Sequence, residues 1–228
     1  MSAPPLGSPA TGPGAPAWRL ARVLRVTVAK LLLAIFRVRV IGIENVPAEG
    51  GYILAGNHVS HLDPILLWCA APRPAHFIAK SELFDKKFVG WLIRRVWAFP
   101  INRGSADREA IQRATDLLVG GESVGIFPEG TRHRSEQTAD DELGTAHAGV
   151  AFIATRANAP VVPVGIAGTA EALPVGASIP RPRRVTMCFG QPVCPSDFSQ
   201  GGRKERMTAM TAEIMRRIGL AIQTAEEA

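Results

Sequence analysis

The chain is short of cysteine, of tyrosine and of long apolar runs, and each shortage excludes something. Cys69, Cys188 and Cys194 form no CxxC pair and no metal-ligand spacing, and an odd count in a 228-residue chain argues against a disulfide framework. They read as inert thiols in a reducing, cytosol-facing setting. Tyr52 is the only tyrosine, and no stretch interleaves aromatic with basic residues as nucleic-acid-binding surfaces do. No GxGxxG follows a strand pattern and no GxxxxGK[ST] occurs, which removes the usual nucleotide-binding signatures. There is no internal repeat and no second block of composition, so one domain is expected. Acidic residues are missing altogether before Glu44.

What is present points to an anionic partner. The net charge is +6 and the isoelectric point near 9.8, while 46% of residues are hydrophobic, enough for a sizeable core. Residues 1–17 are mostly Pro, Gly, Ala and Ser, without a charged side chain, and are expected to be disordered. No basic segment precedes an apolar one, so they do not read as a signal peptide. Residues 18–36 read as a helix, with Leu20, Leu24, Val28, Leu31 and Ile35 within about 40° of one stripe. Arg19, Arg22 and Lys30 gather opposite, and Arg37 follows. The longest uncharged run here is Leu31 to Phe36, against the roughly 20 apolar residues a membrane span needs. Such a helix suits the interface of an anionic membrane. The plainer alternative is a surface helix packed on its own domain.

Beyond residue 37 the pattern alternates. Strands are expected at 37–42, 51–56, 75–79, 97–101, 123–127, 161–166 and 184–189. Helices are expected near 62–71, 84–95, 105–119, 147–157 and 203–224. This alternation predicts a single α/β domain over 37–228, a mixed but largely parallel sheet flanked by helices, behind the basic amphipathic helix. Residues 128–145 form a long, charged loop without periodicity, a length usually tied to function.

Residues 57–64, "NHVSHLDP", support two readings. Ser60, Asp63 and Pro64 fit a helix start, a capping box with proline in the first turn. That leaves Asn57, His58 and His61 unexplained at a strand end entering a helix, where α/β proteins place ligands. His58 and Asp63 are five apart, so a turn can bring the carboxylate onto the imidazole and leave its other nitrogen as a base. His61 is expected to point elsewhere. Two further strand ends carry arginines: "FPINRG" brings Arg103, and "IFPEGTRHR" brings Glu129, Gly130, Thr131 and Arg132. Guanidinium groups there suit capture of a phosphate or carboxylate, although each alone is equally a solvated surface residue.

In this order, "NHVSHLDP", "FPINRG", "FPEGTR" and "VVPVGI" resemble the four motif blocks of the glycerolipid acyltransferases, whose best-known members are the 1-acylglycerol-3-phosphate acyltransferases. The resemblance runs from about residue 38 to 190 and includes "FIAKSELF" between the first two blocks. It implies transfer of a fatty acyl group from acyl-CoA or acyl carrier protein to a free hydroxyl of lysophosphatidic acid, giving phosphatidic acid. It carries His58 over as base and Asp63 as its orienting partner. Arg103, Glu129, Gly130, Thr131 and Arg132 go to acceptor binding, Lys80 becomes a further phosphate candidate, and Pro163 falls in the last block. Neither metal nor cofactor is implied, and no nucleic acid. The sequence departs from the pattern at His133, where the family usually has Ser. It departs again at Trp97, Ala98 and Asn102, around the second block. These changes lie on the acceptor side, so glycerol-3-phosphate, another lysophospholipid or a glycolipid stay open as acceptors.

For the chemistry, a positioned histidine that removes the hydroxyl proton contributes roughly 10²–10⁴-fold, and no enzyme nucleophile is needed. Backbone amides near Ser60 to Leu62 are the expected donors to the oxyanion. "GESVG" (residues 121–125) mimics the serine hydrolase elbow, but Ser123 enters a strand rather than leaving one. A non-catalytic basic membrane module is the remaining alternative. The expected location is the cytosolic face of a membrane, peripheral or monotopic.

Overall fold

The computed structural model describes residues 26–80, 99–101, 108–128, 143–174, 176–177 and 179–228. Its strands are β1 (Arg39–Ile41), β2 (Tyr52–Gly56), β3 (Ala75–Lys80), β4 (Phe99–Ile101), β5 (Ser123–Ile126), β6 (Val161–Ala167) and β7 (Thr186–Phe189). The helices are α1 (26–35), α2 (Asp63–Ala70), α3 (Arg108–Val119), α4 (Leu143–Ala157), α5 (Thr169–Ala172) and α6 (Arg203–Glu226). The strands form one sheet in the order β1-β7-β6-β2-β5-β3-β4. β2, β3, β4, β5 and β6 run parallel. β7 is antiparallel to β6 and carries β1 parallel beside it. The expected strands all occur, largely parallel as expected. The expected helix at 84–95 lies outside the described residues, as does most of the 128–145 loop; its last residues, Leu143–Thr145, are helical and belong to α4.

Alternation along β2 explains the layers. All five residues of β2 are buried, as a strand covered on both faces requires. Tyr52 and Leu54 join Leu66 and Leu67 of α2, Phe36 just after α1, and Val162, Val164 and Ile166 of β6. Ile53 and Ala55, one step out of phase, join Ala110, Ala114 and Leu118 of α3, Val150 and Ala154 of α4, and Met210, Ile214 and Ile218 of α6. The period of two thus places α2 and α1 on one face and α3, α4 and α6 on the other. Gly165 sets how close α6 lies, since a Cβ there would stand 2.1 Å from the carbonyl carbon of Ala221.

Because β2 to β6 share a direction, their carboxyl ends share one edge. His58 follows β2 at that edge, and the register pairs Ala55 with Ile126, so the residue after β5, Phe127, lies beside the end of β2. Lys80 ends β3 and pairs with Ile101, which ends β4. In α1, Leu32 packs against the core and Phe36 is buried, while the stripe of Val28, Leu31 and Ile35 is exposed. No helix among the described residues is long and apolar enough to cross a membrane.

Candidate active site

Asp63 is fully buried, and its Oδ2 takes three contacts. The backbone N–H of Val59 donates to it at 2.8 Å and that of Ser60 at 2.7 Å. His58 Nδ1 lies 3.0 Å away. A carboxylate only accepts, so Nδ1 must carry the hydrogen, and in the neutral imidazole Nε2 then holds a lone pair. Nε2 has no hydrogen-bond partner among the described residues, and the His58 side chain is 20% exposed. The ring is therefore fixed from one side and open on the other. Asp63 is also the first residue of α2, with Pro64 next to it, so the positive end of the helix dipole faces the carboxylate.

The two readings of "NHVSHLDP" meet on one atom. The bond from Ser60 N–H to Asp63 Oδ2 joins the two residues of the expected capping box, but α2 itself starts at Asp63, with Leu62 as its N-cap and no side-chain cap bond. Ser60 Oγ donates to the Leu173 carbonyl at 3.2 Å and accepts from the Leu62 N–H at 3.4 Å. The turn that leads into α2 is the same turn that aims the carboxylate at His58. His61 is exposed, and Asp63 receives His58 instead.

Asn57 braces this corner from the other side. Its Nδ2 donates to the Ile166 carbonyl at 2.9 Å, and its Oδ1 accepts from the Ile166 N–H at 2.8 Å. The side chain thereby continues the β2–β6 ladder one step past Gly56, where the chain turns away toward His58. Sequence reasoning had noted Asn57 but assigned it no part; its partner is 109 positions away, and only the strand register brings them together. Phe127 was missed entirely: its ring stacks on His58 with centroids 4.4 Å apart and 22° between planes.

Arg103, Glu129, Gly130, Thr131 and Arg132 lie outside the described residues, and of Lys80 only the backbone position, at the end of β3, is described. Pro163 lies mid-strand in β6, paired with Ala55. Of the amides expected to face the oxyanion, two have partners. The Ser60 amide is committed to Asp63, and the Leu62 amide faces Ser60 Oγ at 3.4 Å. Ser123 is buried at the opposite edge of the sheet, its Oγ donating to the Pro74 carbonyl at 2.9 Å, which is no place for a nucleophile. Among the described residues no cluster of three or more His, Cys, Asp or Glu could hold a metal ion. The cysteines are free, and burial pushes the thiols of Cys188 and Cys194 up from the usual range, against reactivity.

A family model described as Acyltransferase matches residues 37–167, more than half of the chain and all of the corner just described. The chain belongs to the acyltransferase family. Among relatives of this acyltransferase, the 1-acyl-sn-glycerol-3-phosphate acyltransferase of Bacillus subtilis is 34% identical over 182 residues, covering 79% of this chain and 86% of that protein. The Streptococcus pneumoniae protein of the same name is 32% identical over 154 residues, covering 67% of this chain and 53% of the relative. Among solved structures, the 1-acyl-sn-glycerophosphate (LPA) acyltransferase of Thermotoga maritima superposes with a TM-score of 0.64 at 27% identity, covering 88% of this chain and 79% of that one. The α/β fold of the acyltransferase, expected from strand and helix alternation, is thus shared with a solved relative.

Proposed function

We propose that this acyltransferase moves a fatty acyl group from acyl-CoA or acyl carrier protein to the free hydroxyl of lysophosphatidic acid, forming phosphatidic acid. The observation that carries the reading is the 3.0 Å contact between His58 Nδ1 and a fully buried Asp63 at the carboxyl edge of the sheet. In the proposed step His58 Nε2 takes the acceptor's hydroxyl proton as that oxygen attacks the thioester carbonyl. Asp63 stabilises the imidazolium that results, as a carboxylate on the far nitrogen does. Collapse of the tetrahedral intermediate expels the thiolate, which receives the proton from His58. No acyl-enzyme forms. Arg103 and Arg132 would grip the acceptor phosphate, with Glu129, Gly130, Thr131 and Lys80 around it, so that the attack becomes a positioned one.

The acceptor reaches the enzyme from lipid, and α1 supplies a reason for it to be found there. Its exposed Val28, Leu31 and Ile35 would enter the interface of an anionic, cytosol-facing membrane, with Lys30 and Arg37 near lipid phosphates. Removing residues 1–36 should release the protein from anionic liposomes. The deciding experiment for the reaction is an assay with radiolabelled acyl-CoA against acceptors with and without a phosphate. Lysophosphatidic acid should be acylated, and Arg132→Ala should raise the acceptor KM far more than the donor KM. Equal acylation of a phosphate-free acceptor would contradict the acceptor assignment.

A further inference from the structure

The imidazole of His58 and two phenylalanine rings form a column of three. Phe127 stacks on the imidazole at 4.4 Å and 22°, and Phe77 of β3 stacks on Phe127 at 5.9 Å and 15°. Gly125 makes room for this column, because a Cβ there would stand 2.3 Å from Phe77 Cε1. The column is thus built into the register of β3, β5 and β2 rather than added at a loop tip.

Asp63 alone does not fix the imidazole. A single contact at Nδ1 leaves the ring free to swing about that bond, which moves Nε2 across the site. A flat aromatic face against the ring removes the swing. The same face carries the negative side of the aromatic quadrupole, which attracts a cation held over it within about 6 Å. His58 acquires positive charge only as it takes the acceptor's proton. An attraction that appears with that charge favours the transition state over the bound substrates.

We propose that Phe127 is a positioning residue for acyl transfer: it holds the plane of the His58 ring, and its π face stabilises the imidazolium formed during proton removal. The proposal rests on the reading of His58 as general base. It places the effect of Phe127 in kcat, since neither function concerns substrate binding.

The test compares Phe127→Leu and Phe127→Tyr in the full chain, with acyl-CoA and lysophosphatidic acid as substrates. Phe127→Leu should lower kcat by about 3- to 30-fold, with both KM values within about twofold of the parent. Phe127→Tyr, which keeps the aromatic face, should restore most of that loss. Phe77→Leu loosens the column from behind without touching His58. It should lower kcat by less, again without a change in KM, and it serves if Phe127→Leu does not fold. An unchanged kcat in Phe127→Leu, equal losses in the Leu and Tyr variants, or a loss confined to KM would overturn the proposal. Full activity in His58→Ala would instead overturn the general-base reading beneath it, and the two failures are told apart by that variant alone.

Discussion

The described residues hold two histidine–carboxylate pairs, one at each edge of the sheet, and they are built differently. At the carboxyl edge His58 lies 3.0 Å from Asp63, which is fully buried and further held by two backbone amides. At the amino edge His76 Nε2 lies 3.9 Å from Glu122, whose side chain is 46% exposed. The first distance is a hydrogen bond and the second is not. Water competes with the second pair and is shut out from the carboxylate of the first. A histidine near an acid is therefore not yet a dyad. What makes one is a carboxylate that has no freedom to leave and no solvent to prefer.

The neighbours of the two pairs repeat the contrast. At the amino edge Ser123 donates to the Pro74 carbonyl at 2.9 Å, and Arg73 donates to the Gly121 carbonyl at 3.0 Å and to that of Gly50, its guanidinium 4.8 Å above the Tyr52 ring. These polar groups end on loop carbonyls. At the carboxyl edge Asn57 ends on Ile166, a residue of β6, but His58 ends on nothing described at Nε2. One edge closes its loops, and the other keeps one basic nitrogen available.

Substitutions outside His58 itself should separate the edges, and the largest effect among them belongs to Asp63→Asn. The amide oxygen can take the place of Oδ2, so the turn and the tautomer survive, while the charge that stabilises the imidazolium is lost. Steady-state assays should show kcat reduced by about 10²–10⁴-fold. Next comes Asn57→Ala, which strands the N–H and C=O of Ile166 in the interior. At about 1–3 kcal/mol for each unpaired group, chemical denaturation should show a loss of a few kcal/mol, with activity falling as His58 loses its brace. Ser123→Ala at the amino edge should cost about 1 kcal/mol in the same measurement and leave kcat unchanged. Glu122→Gln should do least, below about 1 kcal/mol and again without effect on kcat, since exposed pairs are screened. A drop in kcat for Glu122→Gln comparable to that of Asp63→Asn would erase the distinction between the two pairs.

Strands and helices were legible because their signals are local. The expected strand at 51–56 is β2 (Tyr52–Gly56), and the expected helix at 203–224 is α6 (Arg203–Glu226). Periods of two and of 3.6 survive translation into structure when both faces of the sheet are covered. The approach of Asp63 to His58 was legible for a similar reason, since five residues fit inside one turn. Two details were not. Holding the turn before the helix and binding the imidazole read as rival explanations of Asp63, whereas a single oxygen serves both, and no spacing rule shows how many donors an oxygen will take. The partnerships of Asn57 with Ile166 and of Phe127 with His58 depend on which strands are neighbours, and the sequence order β2, β5, β6 does not announce that β2 lies between the other two. The amphipathic stripe of α1 was legible as a stripe, but not that Leu32 and Phe36 would take the docking side and leave Val28, Leu31 and Ile35 facing outward.

The most direct test of the account is the turnover of His58→Ala beside the parent protein, with thermal unfolding followed on the same samples. Because the His58 side chain is partly exposed and Asp63 keeps both backbone donors without it, the melting transition should move little while kcat falls at least about 100-fold. A folded His58→Ala protein that acylates lysophosphatidic acid at the parent rate would contradict the claim that this imidazole is the base.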